Sequence, residues 1–174
     1  MWQLAVFFIA SVFIFWFSRA SLRDWRLHGF FRFFAFESVL ALILLNVEMW
    51  FDDPFSPLHL LAWLILIASL FLIVHGVYLL RVIGKPQGNI EQTTTLVQIG
   101  AYKFIRHPLY ASLLYLAWGA FLKQISLASV VLVLAASLFL FATARVEEDE
   151  NVTKFGRAYV EYMQSTKRFV PFVF

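Results

Sequence analysis

The sequence predicts an all-α integral membrane protein with five transmembrane helices. Of its 174 residues, 61% are hydrophobic and only 14% are charged, whereas about 25% of the residues in soluble domains are charged. So few charged residues cannot form the polar surface that a soluble domain of this length needs. The apolar stretches are expected to be helices, because an open strand in lipid leaves backbone groups without hydrogen-bond partners. The chain has no Cys, which excludes disulfides, thiolate metal sites and a cysteine nucleophile.

Five apolar stretches account for the expected spans. They run over residues 2–17, 33–51, 58–80, 109–122 and 125–144. A helix needs about 20 apolar residues to cross about 30 Å of hydrocarbon. The fourth stretch is short, so we expect it to form a tight hairpin with the fifth, turning at residues 123–126. The first stretch has Arg residues after its apolar run and none before it, which is typical of a membrane anchor rather than a cleaved signal.

The basic residues predict how the chain is oriented. Of the 14 Lys and Arg residues, all but Lys123 fall in segments that the five spans place on one side. Because basic loops stay in the cytosol, we expect the N-terminus outside and the C-terminus in the cytosol of a prokaryotic inner membrane. The same rule explains the basic residues without a nucleic-acid partner, so the partners expected at this point are membrane lipids.

The chain is expected to form a single membrane domain over residues 1–174. Residues 1–80 hold three spans, whereas residues 81–174 hold a polar loop, the hairpin and a tail. In the tail, Val152, Phe155, Tyr159 and Tyr162 recur at steps of three and four residues. This period predicts a cytosolic amphipathic C-terminal helix with one apolar face.

Polar residues gather at the expected cytosolic ends of the fourth and fifth helices. Arg106 and His107 precede Pro108, which suits the first turn of a helix because its missing N–H costs nothing there. An acidic run, residues 147–150, follows the fifth apolar stretch. If helices 4 and 5 form a hairpin, His107 and Glu147 are close in space. Taken singly, these features are typical of interfacial anchors and solvated helix turns.

Taken together and in this order, the polar features resemble a known superfamily of integral-membrane enzymes, the isoprenylcysteine carboxyl methyltransferases and phospholipid methyltransferases. The resemblance covers about residues 87–171. The residues that carry it are Gly100, Tyr102, Arg106, His107, Pro108, Tyr110, Glu147, Glu148, Phe155, Gly156, Tyr159, Tyr162, Arg168 and Pro171.

The resemblance implies an S-adenosylmethionine-dependent methyltransferase with its cofactor pocket on the cytosolic side, beneath the hairpin. The implied cofactor contacts are Gln87, Thr94, Thr95, Leu96, Val97, Tyr102, His107, Pro108, Leu109, Tyr110 and Glu147. Arg106 and Arg145 are the expected catalytic residues, and no metal is implied. The partner that the resemblance implies is a lipophilic or lipid-linked small-molecule acceptor. The isoprenylcysteine enzymes place a carboxylate-binding Arg where this chain has Thr143, a departure that argues against a prenylcysteine acceptor.

Elementary chemistry agrees with these implied contacts. A Glu accepts strong hydrogen bonds from ribose hydroxyls or an ammonium group. A helix N-terminus binds a carboxylate, and the faces of Tyr102 and Tyr110 attract a sulfonium cation.

Three other interpretations stay open at the level of sequence. A membrane reductase of the steroid-reductase type shares the C-terminal architecture but uses a nicotinamide cofactor. A non-enzymatic membrane scaffold would tolerate changes at His107 and Glu147. A small transporter fits less well, because the polar residues gather at one face and not at the midplane. Glu37, Glu48 and His75 lie within the apolar stretches, where ionisable residues are either functional or make polar contacts between helices.

Overall fold

The computed structural model describes residues 2–88, 90 and 92–173, and over these residues it is helical. Its α-helices are α1 (Trp2–Ser18), α2 (His28–Asn46), α3 (Pro57–Val82), α4 (Pro108–Phe121), α5 (Leu127–Phe155) and α6 (Arg157–Ser165). The described residues contain no β-strand, and their only extended pairing is two isolated bridges. The prediction of an all-α chain is confirmed.

Three of the helices are long and apolar enough to cross a membrane. They cover His28–Met49, Pro57–Val82 and Leu127–Phe155, and the first of them includes the short 3-10 turn that follows α2. α1 and α4 are also apolar, but they have 17 and 14 residues. At 1.5 Å per residue, α4 covers only about 20 Å. Three spans are supported by length and composition, and the full set of five stays a prediction.

The chain divides into two compact units. One comprises Met1–Ile67 and Leu114–Glu147, and the other comprises Ala68–Leu113 and Glu148–Phe174. α3, α4 and α5 each contribute residues to both units. The expected single domain over residues 1–174 stays a prediction.

α4 and α5 pack together in the first unit, as is expected of a hairpin. Ala117 and Ala120 of α4 belong to the same buried cluster as Val133 and Ala136 of α5. Small residues let two helices approach closely. The cluster also includes Leu42 of α2, so three helices share this core.

A buried amide holds the turn of the hairpin. Asn46 is fully buried, and its side-chain nitrogen donates to the carbonyl oxygens of Ala120 (2.9 Å) and Gln124 (3.2 Å). Its side-chain oxygen accepts from Ser129 Oγ at 3.1 Å. Because both amide donors and the amide oxygen are engaged, Asn46 can be buried at little cost.

Lys123, the one basic residue expected on the outer side, is buried within this turn. It is 3% exposed, and its Nζ lies 3.9 Å from the centroid of the Trp63 ring. Burial lowers the pKa of the Lys123 ammonium.

The acidic residues of α2 and its 3-10 extension make polar contacts with α1. Ser11 Oγ donates to Glu37 Oε2 at 2.6 Å, and Gln3 Nε2 donates to Glu48 Oε1 at 2.7 Å. Of the two interpretations that the sequence left open, these contacts support the one in which polar groups join neighbouring helices.

The tail contains a C-terminal helix, as expected, but the apolar period of the tail is divided between two helices. α5 extends eleven residues beyond its apolar stretch to Phe155, and α6 starts at Arg157. Between them, Gly156 has φ 59°, a backbone conformation that glycine adopts without steric cost. Val152 and Phe155 therefore belong to α5, whereas the buried Tyr159 and Tyr162 belong to α6.

Candidate active site

The start of α4 is held by the C-terminal tail. α4 begins at Pro108, as its sequence predicts. Just before it, the backbone N–H of Arg106 donates to the carbonyl of Lys167 at 2.8 Å, and that of His107 donates to the carbonyl of Arg168 at 3.2 Å. The tail thus satisfies backbone donors that would otherwise lie unpaired next to the helix start.

A single buried carboxylate joins these residues. Glu148 is 3% exposed. Its Oε1 accepts from Arg106 Nε at 2.6 Å and lies 3.3 Å from His107 Nε2. Arg168 donates to both carboxylate oxygens, the shortest contact being Nη2 to Oε2 at 2.8 Å. We call Arg106, His107, Glu148 and Arg168 the Glu148 cluster.

The Glu148 cluster carries more positive than negative charge. Two guanidinium groups face one carboxylate, and the hydrogen bonds to Glu148 raise the pKa of Arg168 further above its usual value. The cluster lies beside the N-terminus of the 14-residue α4, where the helix dipole is positive. The arrangement therefore favours an anionic group nearby.

Arg106 is also fixed by the tail. Its Nη1 donates to the carbonyl oxygen of Thr166, and more weakly to that of Met163 at 3.5 Å. Two of its three nitrogens are therefore committed to Glu148 and the tail.

Aromatic rings surround the cluster. The ring of His107 stacks on that of Tyr110, with centroids 5.6 Å apart and planes 20° apart. The ring of Phe169 makes a tilted contact with that of His107, with centroids 6.2 Å apart. The hydroxyl of Tyr162 donates to the carbonyl of Tyr102 at 2.6 Å, and burial raises the pKa of the Tyr162 phenol. The tail is thereby bound to the segment that precedes α4.

The remaining residues expected to bind a cofactor fall into two groups. Val97 and Tyr102 are buried together with Leu79 of α3. Leu109 lies close to α3 as well, because a Cβ on Gly76 would be 3.0 Å from its Cδ2.

The second group lies in the loop after α3. Gln87, Thr94 and Thr95 are exposed, and Leu96 is partly buried. The backbone N–H groups of Thr94 and Thr95 both donate to the carbonyl of Gly84, at 2.8 and 3.2 Å. This backbone pairing holds Thr94 and Thr95 against Gly84, and the side chains of both threonines lie at the surface of the loop.

Arg145 and Glu147 lie in α5 within the first unit, where Arg145 is exposed and Glu147 is partly buried. The carboxylate at the centre of the cluster is that of the next residue, Glu148. Sequence reasoning did not name Glu148 or Arg168 as site residues. The signal was present, because both belong to the ordered set of residues that carries the family resemblance.

Comparison with known proteins shows to which family the chain belongs. The family model described as phospholipid methyltransferase matches residues 57–158, which is more than half of the chain. The chain belongs to the phospholipid methyltransferase family. The matched range includes the whole of α3, α4 and α5, and it also contains Arg106, His107 and Glu148.

Curated relatives carry methyltransferase names. A methanethiol S-methyltransferase of Crocosphaera subtropica is 26% identical over 137 residues, which cover 74% of this chain and 53% of that protein. A second methanethiol S-methyltransferase, of Pseudomonas sp., is 26% identical over 131 residues, covering 72% and 49%. A protein-S-isoprenylcysteine O-methyltransferase B of Arabidopsis thaliana is 34% identical over 87 residues, covering 48% and 43%. The chain spans about half the length of the curated relatives it matches.

Proposed function

We propose that the protein transfers a methyl group from S-adenosylmethionine to a small lipophilic acceptor at the cytosolic face of a membrane. The observation that carries the proposal is the Glu148 cluster at the start of α4. Around it, the family match and three helices long enough to span a membrane supply the setting.

The donor set fits this cofactor. The excess positive charge beside the α4 N-terminus suits its carboxylate, and the stacked rings of His107 and Tyr110 offer aromatic faces to its sulfonium or adenine. Glu147 would accept from its ribose hydroxyls or its ammonium. The other residues proposed to line the cofactor are Gln87, Thr94, Thr95, Leu96, Val97, Tyr102, Pro108 and Leu109.

The cofactor supplies a methyl group on a sulfonium, and the residues of this chain hold the cofactor and the acceptor in position. Methyl transfer needs the nucleophile, methyl carbon and sulfur in line, with water excluded. In this proposal, Arg106 orients the start of α4 through Glu148 and the tail. Arg145, which is exposed in α5, is the candidate for contact with a polar group of the acceptor.

The relatives suggest two kinds of acceptor. Two of those reported above are named for the thiol methanethiol, and one is named for O-methylation of protein S-isoprenylcysteine. Both acceptors are nucleophiles that the sulfonium methyl group can alkylate. The lipophilic acceptor would reach the site from the bilayer between the helices.

Calorimetric titration of the detergent-purified protein tests the proposal. We expect micromolar binding of S-adenosylhomocysteine and no binding of a reduced nicotinamide nucleotide. The reverse result would establish the reductase alternative, and binding of neither would favour a scaffold.

A variant pair then tests one proposed contact. Glu147→Ala should weaken S-adenosylhomocysteine binding at least tenfold, about 1.4 kcal/mol. The exposed Glu161 supplies the matched control, and Glu161→Ala should leave the affinity unchanged. An unchanged affinity in folded Glu147→Ala would remove Glu147 from the site.

A further inference from the structure

One ionisable side chain of α3 has no role in the proposed cofactor site. His75 lies seven residues before the end of α3 at Val82, about 10 Å along the helix axis. It therefore lies inside the apolar helix rather than at its end. Ionisable residues are rare at such positions and are candidates for function.

The imidazole of His75 lies directly against the turn before α4. Gly100 has φ 58°, and a Cβ at this position would be 2.5 Å from His75 Nε2 and 2.8 Å from Leu79 Cδ1. Both distances are too short for any side chain. Another residue would adopt this positive φ at a cost and would displace the side chains of His75 and Leu79, whereas glycine lets the backbone approach the Nε2 edge of the ring.

The same stretch of α3 contacts the segments proposed to line the cofactor. Leu79, one helical turn after His75, is buried with Val97 and Tyr102. Gly76, the residue after His75, lies close to Leu109 and Pro108 at the start of α4. His75 is therefore the ionisable member of a helix face that borders the proposed site.

The ring of His75 contacts an aromatic side chain of the same helix. His75 stacks on Phe71, with centroids 5.4 Å apart and planes 11° apart. Phe71 and Gly100 are the neighbours that the structure gives for this ring, and neither of them titrates. His75 is a partly exposed residue, which leaves room for contact with a molecule that arrives through lipid.

We propose that His75 is the general base for the acceptor and that the acceptor is a lipophilic thiol. This inference rests on the proposed function. A carboxylic acid reaches the site already ionised and needs no base, whereas an ammonium with a pKa near 10 is a poor match for imidazole. A thiol, with a pKa of about 8.5, is mostly protonated at neutral pH, and imidazole is the base that activates thiols in Cys–His pairs.

The step balances without a further reactant. The S–H proton of the acceptor moves to the imidazole, and the sulfur lone pair forms the new bond to the methyl carbon. The bond between that carbon and the sulfonium sulfur breaks, and its electron pair stays on the cofactor sulfur. The products are a methyl thioether, S-adenosylhomocysteine and an imidazolium that releases its proton to water.

The test compares His75→Gln with wild type, using decanethiol and decanoate as acceptors and His28→Gln as the matched histidine control. We expect His75→Gln to bind S-adenosylhomocysteine like wild type but to methylate decanethiol about 100-fold more slowly at neutral pH, the range of a lost general base. The rate should recover as the pH rises and the thiol ionises unaided. A merely structural role for His75 predicts no such recovery.

A second readout does not depend on turnover. In the complex of wild type with S-adenosylhomocysteine and decanethiol, the ultraviolet absorbance of a thiolate should appear at neutral pH, and in His75→Gln it should be absent. Unchanged thiol methylation and thiolate absorbance in His75→Gln would overturn the inference, as would methylation of decanoate alone by wild type. Failure of wild type to bind S-adenosylhomocysteine would instead reject the proposed function, and His75→Asn repeats the comparison if His75→Gln does not fold.

Discussion

Replacing Glu148 by Gln should destabilise the protein more than the change of any exposed charge. Gln keeps the shape of the side chain but removes its charge, and it turns an amide donor toward the donors of Arg106 and Arg168. The carboxylate itself is shielded from water, since Glu148 is 3% exposed. Little solvent can reach the position of the Glu148 carboxylate to replace it.

The size of the effect follows from the exposure of the two arginines. Removing one partner of a buried ion pair costs about 3–5 kcal/mol. The side chain of Arg168 is 24% exposed and can regain water, whereas that of Arg106 is 9% exposed. We therefore expect the lower end of that range, about 3 kcal/mol of unfolding free energy. For a chain of this length this corresponds to a fall in Tm of about 6–12 °C.

Thermal unfolding in detergent measures this difference, and a second carboxylate supplies the control. Glu161 accepts from Arg157 at 2.8 Å, but their side chains are 61% and 91% exposed, so Glu161→Gln should cost less than about 1 kcal/mol. Equal shifts in Tm for the two variants would refute the view that burial makes the Glu148 cluster structurally important.

Other contacts give smaller or different effects. Asn46→Leu should lower the unfolding free energy by roughly 1–2 kcal/mol, measured by denaturation, because three hydrogen bonds at the hairpin turn are lost. Tyr162→Phe removes a buried hydroxyl at 2.6 Å from its acceptor and should cost about 1–2 kcal/mol in the same assay. Because the chain has no Cys, single cysteines placed at the exposed Gln124 and Lys167 can be labelled in sealed vesicles. We expect labelling of the two from opposite sides, and labelling of both from one side would contradict the predicted topology.

The helices could be predicted because their signal is local. Each apolar stretch became a helix, and Pro108 marked the start of α4. Their ends were less predictable, since α2 begins five residues before the expected stretch and α5 extends eleven residues beyond it. Polar residues can continue a helix without leaving a signal in the hydropathy pattern. An apolar run therefore marks the part of a helix that lies in lipid, and not the ends of the helix.

The break at Gly156 shows a limit of periodicity. A three- and four-residue spacing of apolar residues continues across it, but one residue with φ 59° redirects the chain. The pattern survives because both helices bury an apolar face. Periodicity reports which residues are buried, whereas only the backbone angle tells whether one helix or two present them.

The two neighbouring glutamates show why the site needed coordinates. Successive residues of a helix point about 100° apart, so Glu147 and Glu148 face different directions although they occupy one motif. The spacing of residues cannot tell which of two adjacent glutamates meets the arginines, because these partners are far away in the sequence. Arg168 is 20 positions and Arg106 is 42 positions from Glu148. What decides it is the tail, because the backbone of residues 167 and 168 pairs with the segment before α4. That pairing brings a second guanidinium to the carboxylate of Glu148, and it makes the C-terminal tail part of the candidate active site.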